Sequence, residues 1–148
     1  MDYSTMIYDF KKLLDGTDKR IIGLDYGEKR IGIAISDASR TIASPLKVAR
    51  DEEEARRTIR DNDTGGIVIG LPLEMSGREG ETARKARAFG ARLADMAPVE
   101  FMDERLSSKG AEDMLIREAD MTRAKRRRIL DKVAAQHILQ AYLDLKQP

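Results

Sequence analysis

Three acids in this sequence stand where a carboxylate is costly unless something pairs with it. Asp25 ends the apolar run Arg20-Ile21-Ile22-Gly23-Leu24-Asp25, and Asp103-Glu104 ends the run Val99-Glu100-Phe101-Met102. Asp131 opens a helical stretch and shares one face with Ala134, Ala135, Ile138 and Tyr142. Each acid alone has an ordinary explanation: a turn aspartate closing its own hairpin, a Glu104–Arg105 surface pair, a helix N-cap. Together, two strand ends and one helix start can bring three carboxylates onto hard divalent cations. With no cysteine and a single histidine, the ligands are oxygens, which favours Mg2+ or Mn2+ over zinc. Two such ions about 4 Å apart activate water and stabilise the leaving oxygen of a phosphodiester. The acids therefore point to metal-assisted nuclease chemistry. The residues alone leave Asp103 and Glu104 both open as the ligand, because the strand's alternation ends there.

The elements that must position these acids follow from hydrophobic pattern. Ser4 can cap a short helix over residues 4–14, stopped at Asp15-Gly16, which reads as an N-terminal extension occupying residues 1–18. Continuous apolar runs suit strands covered on both faces, and they predict strands over Arg20–Asp25, Arg30–Ser36 and Gly66–Leu71. Tyr26-Gly27-Glu28-Lys29 turns the first two into a hairpin, and a third strand lies within Thr41–Ala49, with Pro45 marking an edge. Helices are predicted over Asp51–Asp61, Glu81–Met96, Ser107–Glu118 and Leu130–Lys146, with a last strand at Val99–Asp103 and a basic connection before Leu130. The order βββαβαβαα gives an α/β domain over residues 19–148: three antiparallel strands, then two parallel ones, in a five-stranded mixed sheet with helices on both faces.

Composition bounds the partners. A chain of 148 residues, 41% hydrophobic and 36% charged, suits one folded domain. No apolar run is long enough to span a bilayer and no secretory signal is recognisable, so the expected setting is cytoplasmic, without a membrane. Net charge is only +1, yet Arg123-Ala124-Lys125-Arg126-Arg127-Arg128 is densely basic and leads straight to Asp131. Arg126, Arg127 and Arg128 are candidates for tracking a phosphate backbone beside the acids. Lys29 and Arg30 after Asp25, Arg78 in the loop Leu73–Gly80, and Arg105 after Glu104 join them as nucleic-acid-binding candidates. That loop lacks the lysine of a P-loop. Aromatics make up 5% of the chain, which fits backbone-level recognition of structured nucleic acid better than base stacking. His137 reads as structural, and Met102, Met114 and Met121 as core filler or surface.

Four segments in order, LDYGEKRIGIAISD (24–37), VIGLPLEMSGREG (68–80), FMDERLSSKGAEDML (101–115) and DKVAAQHILQAYLD (131–144), resemble the YqgF family, also called RuvX. These are pre-ribosomal-RNA nucleases related to Holliday junction resolvases. The resemblance implies an RNase H-like fold and divalent-metal nuclease activity that matures the 5′ end of pre-16S rRNA in ribosome biogenesis. It matches Asp25 to the aspartate of a DxG motif, Glu104 to the acid of a DER motif, and Asp131 to the aspartate before an AA pair. Asp25, Glu104 and Asp131 are accordingly expected to be both catalytic and metal-binding. One feature departs from the junction resolvases: the strand Gly66–Leu71 runs into Gly-Leu-Pro where they carry a catalytic glutamate, and the acid stands instead on the neighbouring strand end at Glu104. Rival readings are a resolvase acting on branched DNA, a non-catalytic RNA-binding assembly factor, and a phosphotransferase of the actin and sugar-kinase type. The last also uses an Asp-x-Gly hairpin but normally needs two such domains. A monomer or a homodimer is equally compatible with the chain.

Overall fold

The computed structural model describes residues 9–106 and 122–145, without the side chains of residues 106, 124 and 126–132. The predicted helix at Ser107–Glu118 lies outside the described residues. A short helix α1 (Phe10–Leu13) leads into β1 (Arg20–Tyr26), β2 (Ile31–Ser36), β3 (Ala43–Ala49), α2 (Glu52–Asp61), β4 (Thr64–Leu71), α3 (Glu81–Leu93), β5 (Val99–Asp103), a single 3-10 turn (Glu104–Leu106) and a long helix α4 (Arg123–Leu143). The strands form the mixed five-stranded sheet that the hydrophobic pattern predicts, in the order β3-β2-β1-β4-β5. β1 pairs antiparallel with β2, and β2 with β3, while β4 is parallel to both β1 and β5.

Central strands in such a sheet are covered on both sides, which is why β1 and β4 read as unbroken apolar runs. Side chains alternate between two clusters. Ile22, Leu24, Ile33, Ile67 and Ile69 pack under Ala55 and Ile59 of α2 and Ala83, Phe89 and Leu93 of α3. Ile21, Ala34, Val68 and Met102 pack under Ala135, Ile138, Leu139 and Tyr142 of α4. A Cβ at Gly23 would stand 2.6 Å from Cβ of Leu139, so α4 crosses β1 at near-backbone distance only because that position is glycine.

β3 is an edge strand, as Pro45 implies, and α4 covers part of that edge. Gln140 Oε1 accepts from the Ala43 amide at 2.8 Å, and Gln136 Nε2 donates to the Ala43 carbonyl at 3.1 Å. These bonds use backbone groups that would otherwise invite pairing with another chain. Asp51 caps α2 by accepting from the Glu54 amide at 2.8 Å, and Glu52–Glu54 place carboxylates in its first turn.

One expectation needs correction. Helix α4 begins at Arg123, not Leu130: Thr122 caps it by accepting from the Lys125 amide at 3.2 Å. Arginine and lysine are good helix formers, and no glycine or proline interrupts 123–130, so the basic run forms the first turns of the helix and is not a connection. The N-terminal extension packs onto the domain. Phe10 is fully buried against Tyr142, and the Tyr142 hydroxyl accepts from the Phe10 amide at 3.2 Å. Arg40, in the left-handed backbone region at φ 57°, donates to the carbonyls of Leu14, Thr17 and Lys19 and ties the segment to the β2–β3 turn. Among the described residues no helix is long and apolar enough to cross a membrane.

Candidate active site

Asp25 and Glu104 stand where β1, β4 and β5 end. On β1, Asp25 alternates with Ile21 and Gly23 and so faces α4. It is half-buried and pairs in register with Gly32 of β2. On β5, Met102 faces α4 and Asp103 the opposite side; Glu104 follows in the 3-10 turn, and its approach to Gly70 beside Ile138 puts its carboxylate on the α4 face. The strand between them supplies the room. Gly70 follows Ile69, which pairs with Leu24, just as Asp25 follows Leu24. A Cβ at Gly70 would meet Ile138 Cδ1 and would lie 2.5 Å from Glu104 Oε1 and 3.0 Å from Glu104 Cγ. The Glu104 carboxylate thus lies over a strand position without a side chain, at the same end and on the same face as Asp25. This is the glycine of the Gly-Leu-Pro run. A glycine inside an apolar strand signals close approach of another group, but only the register says which group.

Asp131 is the ninth residue of α4 and lies one turn before Ala135, whose carbonyl oxygen lies against Gly23. The helix backbone therefore carries it toward the Asp25 end of β1. Its place within the helix removes the N-cap explanation, since Thr122 is the cap. The Asp131 side chain is outside the described ones. Among the described residues no three acids or histidines are grouped closely enough to hold a metal ion. Asp25 and Glu104 nonetheless fit a hard divalent cation, because both are carboxylates and the Gly70 position leaves a cradle that a Cβ would fill.

Asp103 has another partner. Its carboxylate, buried on the α3 side, accepts from Arg105 Nη2 at 2.6 Å, from Arg105 Nε at 3.0 Å to each oxygen, and from the Arg105 amide at 2.9 Å. These hydrogen bonds hold the Asp103 carboxyl below its ordinary range against the opposing effect of burial, and raise Arg105. The basic candidates separate accordingly. Lys29 and Arg30 line an open depression of about 330 Å³ together with Asp25, Tyr26, Gly27 and Glu28. Glu28 pairs with Lys85 of α3 and so fixes this turn against the helix; the pairing lowers Glu28 and raises Lys85. Arg78 is exposed in the β4–α3 loop. Arg126, Arg127 and Arg128 occupy the second turn of α4, with side chains outside the described ones. Arg105 is engaged by Asp103 and donates through Nη1 to the Met75 carbonyl at 3.2 Å. The Asp103–Arg105 pair and the Gly70 cradle are the features that sequence reasoning missed.

The family model described as "RuvX: Holliday junction resolvase" matches residues 19–145. The chain belongs to the RuvX family. Its relatives include two proteins named "Putative pre-16S rRNA nuclease". One, from Phenylobacterium zucineum (strain HLK1), is 45% identical over 133 residues, covering 84% of this chain and 85% of that protein. The other, from Gluconobacter oxydans (strain 621H), is 39% identical over 149 residues, covering 95% and 92%. Among solved structures, one described as "T. thermophilus RuvC in complex with Holliday junction substrate" matches with a TM-score of 0.47 and 12% identity, over 84% of this chain and 93% of that one. The match runs from before β1 to the end of α4, so Asp25, Glu104 and Asp131 all fall within the family region.

Proposed function

We propose that this protein is a divalent-metal-dependent nuclease that hydrolyses phosphodiester bonds in structured RNA, its substrate being the 5′ end of the 16S rRNA precursor. The observation that carries the reading is the Glu104 carboxylate lying over Gly70, beside Asp25. Asp25, Glu104 and Asp131 would hold Mg2+ or Mn2+, two ions in all. Such ions supply a water activated at neutral pH and stabilisation of the leaving oxygen. The protein's own share is to place the oxygens and the nucleic acid. Glu104 is the ligand of its pair, because Asp103 is satisfied by Arg105 on the other face of the sheet. Lys29 and Arg30 beside Asp25, Arg78 in the loop and Arg126–Arg128 on α4 would hold phosphates, which positions a duplex without reading its sequence. Cations in the first turns of a helix oppose its dipole, so helix electrostatics give no reason for that cluster. Substrate recognition does.

The test is incubation of the protein with Mn2+ and labelled precursor rRNA, a labelled four-way DNA junction, and ATP. Cleavage of the RNA that needs Mn2+ supports the reading. It should be lost in Asp25→Asn, Glu104→Gln and Asp131→Asn, and much less reduced in Asp103→Asn. Cleavage of the junction alone would move the substrate to branched DNA. ATP hydrolysis without cleavage would make the protein a phosphotransferase relative, and binding without turnover an assembly factor.

A further inference from the structure

Glu104 is flanked in sequence by two residues that grip each other. Asp103 accepts four hydrogen bonds from Arg105, three from its guanidinium and one from its amide. The remaining guanidinium arm reaches the Met75 carbonyl at 3.2 Å. The loop it reaches is a closed unit: the Glu74 amide donates to the Arg78 carbonyl at 2.9 Å and the Gly77 amide to the Glu74 carbonyl at 2.8 Å. Gly77, at φ +89°, lies beside the guanidinium, where a Cβ would come within 3.8 Å of Nη2. The loop's tip presents Met75, 93% exposed, next to Arg78.

Resting on the metallonuclease reading above, we propose that Asp103 and Arg105 are positioning residues. They form a brace that sets the Glu104 carboxylate over Gly70 and locks the β4–α3 loop to the same point. The brace lies on the α3 face and the Glu104 carboxylate on the α4 face. The two neighbours therefore fix the backbone of the turn without occupying the metal side. An arginine that bound phosphate would present uncompensated charge. This one is neutralised by a carboxylate whose side chain is only 2% exposed, so it adds little to counterion release. Its fork makes the geometry, and a lysine cannot reproduce it. Because one guanidinium ties Glu104 to the loop, the site that cuts and the loop that meets the substrate keep a constant spacing. Residues that orient metal ligands in this way typically cost about 10–100-fold in metal affinity or activity when lost.

The experiment compares full-length wild type, Arg105→Ala, Arg105→Lys, Asp103→Asn and Glu104→Gln. Calorimetric titration with Mn2+ is read beside kcat, KM and the salt dependence of KM on labelled precursor rRNA. Arg105→Lys keeps an ion pair with Asp103 and so guards against loss of fold, which thermal melting checks. The expected result is Mn2+ affinity and kcat each reduced by about 10–100-fold in both Arg105 variants. KM and its salt slope should stay near wild type, and Asp103→Asn should be reduced less. A raised KM with a flatter salt slope and unchanged kcat would make Arg105 a phosphate contact and overturn the brace. Full rescue by lysine would overturn it too, since charge alone would then suffice. Failure of the underlying reading looks different: wild type and Glu104→Gln would then take up Mn2+ alike, which removes the group that the brace serves.

Discussion

Substituting Gly70→Ala tests the cradle with the smallest perturbation available. The new methyl carbon would stand 2.5 Å from Glu104 Oε1, whereas ordinary contact begins at 3.4 Å, so the carboxylate must retreat by about 0.9 Å. The strand cannot yield instead, because β4 is bonded to β1 on one side and β5 on the other. What gives way are two flexible ends, the Glu104 carboxylate and Ile138 Cδ1. Stability should therefore fall by only about 1–2 kcal/mol, within the usual cost of overpacking. For a chain of this length that lowers the melting temperature by roughly 3 °C per kcal/mol. Activity should fall far more, because displacing a reacting group by about 1 Å costs on the order of 100-fold. Gly66→Ala is the control at the far end of the strand. Its methyl would meet the Phe10 ring at 2.8 Å, and that ring is wedged against Tyr142, so stability should suffer more while kcat holds. The assay is kcat at saturating substrate and Mn2+, at a temperature where circular dichroism shows both variants folded. Full kcat in Gly70→Ala, or an equal loss in Gly66→Ala, would refute the claim that Glu104 works from above Gly70.

Three further outcomes are expected. Phe10→Ala should cost about 3–5 kcal/mol in urea denaturation, because a fully buried ring leaves a cavity between α1 and α4; a surface-like loss below about 0.5 kcal/mol would show that the extension does not help to hold the fold. Replacing Arg126, Arg127 and Arg128 together by alanine should weaken every nucleic acid tried and flatten the salt dependence of binding, while kcat at saturation changes much less. Parallel salt slopes for variant and wild type would show that these arginines never meet phosphate. Glu54 is held at a pKa of about 2, chiefly by hydrogen bonds from Arg50 and Lys47, while the unfolded chain takes up this proton near 4.5. A depressed carboxylate stabilises the fold fully above the unfolded value and loses that contribution as pH falls from about 4.5 toward 2. Urea midpoints at pH 6, 4 and 3 should drop more steeply for wild type than for Glu54→Gln, and an identical acid limb in the two would show the pairing to be unimportant.

The sequence by itself determined the sheet and made its strand-end acids conspicuous. Doubly covered strands must be apolar throughout, so β1 and β4 stand out as unbroken runs, and an acid at the end of such a run is conspicuous, as Asp25 and Glu104 are. Pro45 announced the edge for the same kind of local reason: it cannot donate to a ladder. Local signals failed where the cause was distant. Nothing near Phe10 shows that it fills space over Gly66 and meets Tyr142. The basic start of α4 resembled a polar connection, because a dense run of charge hides a stretch of good helix formers. Asp103 and Glu104 were indistinguishable as neighbours in the chain, and only the two faces of the sheet separate them, one carboxylate held by Arg105 and the other lying over Gly70. The candidate site depends on strand register, which a residue's immediate neighbours do not encode: it brings the glycine of β4 beneath the acid that follows β5 and beside the acid of β1.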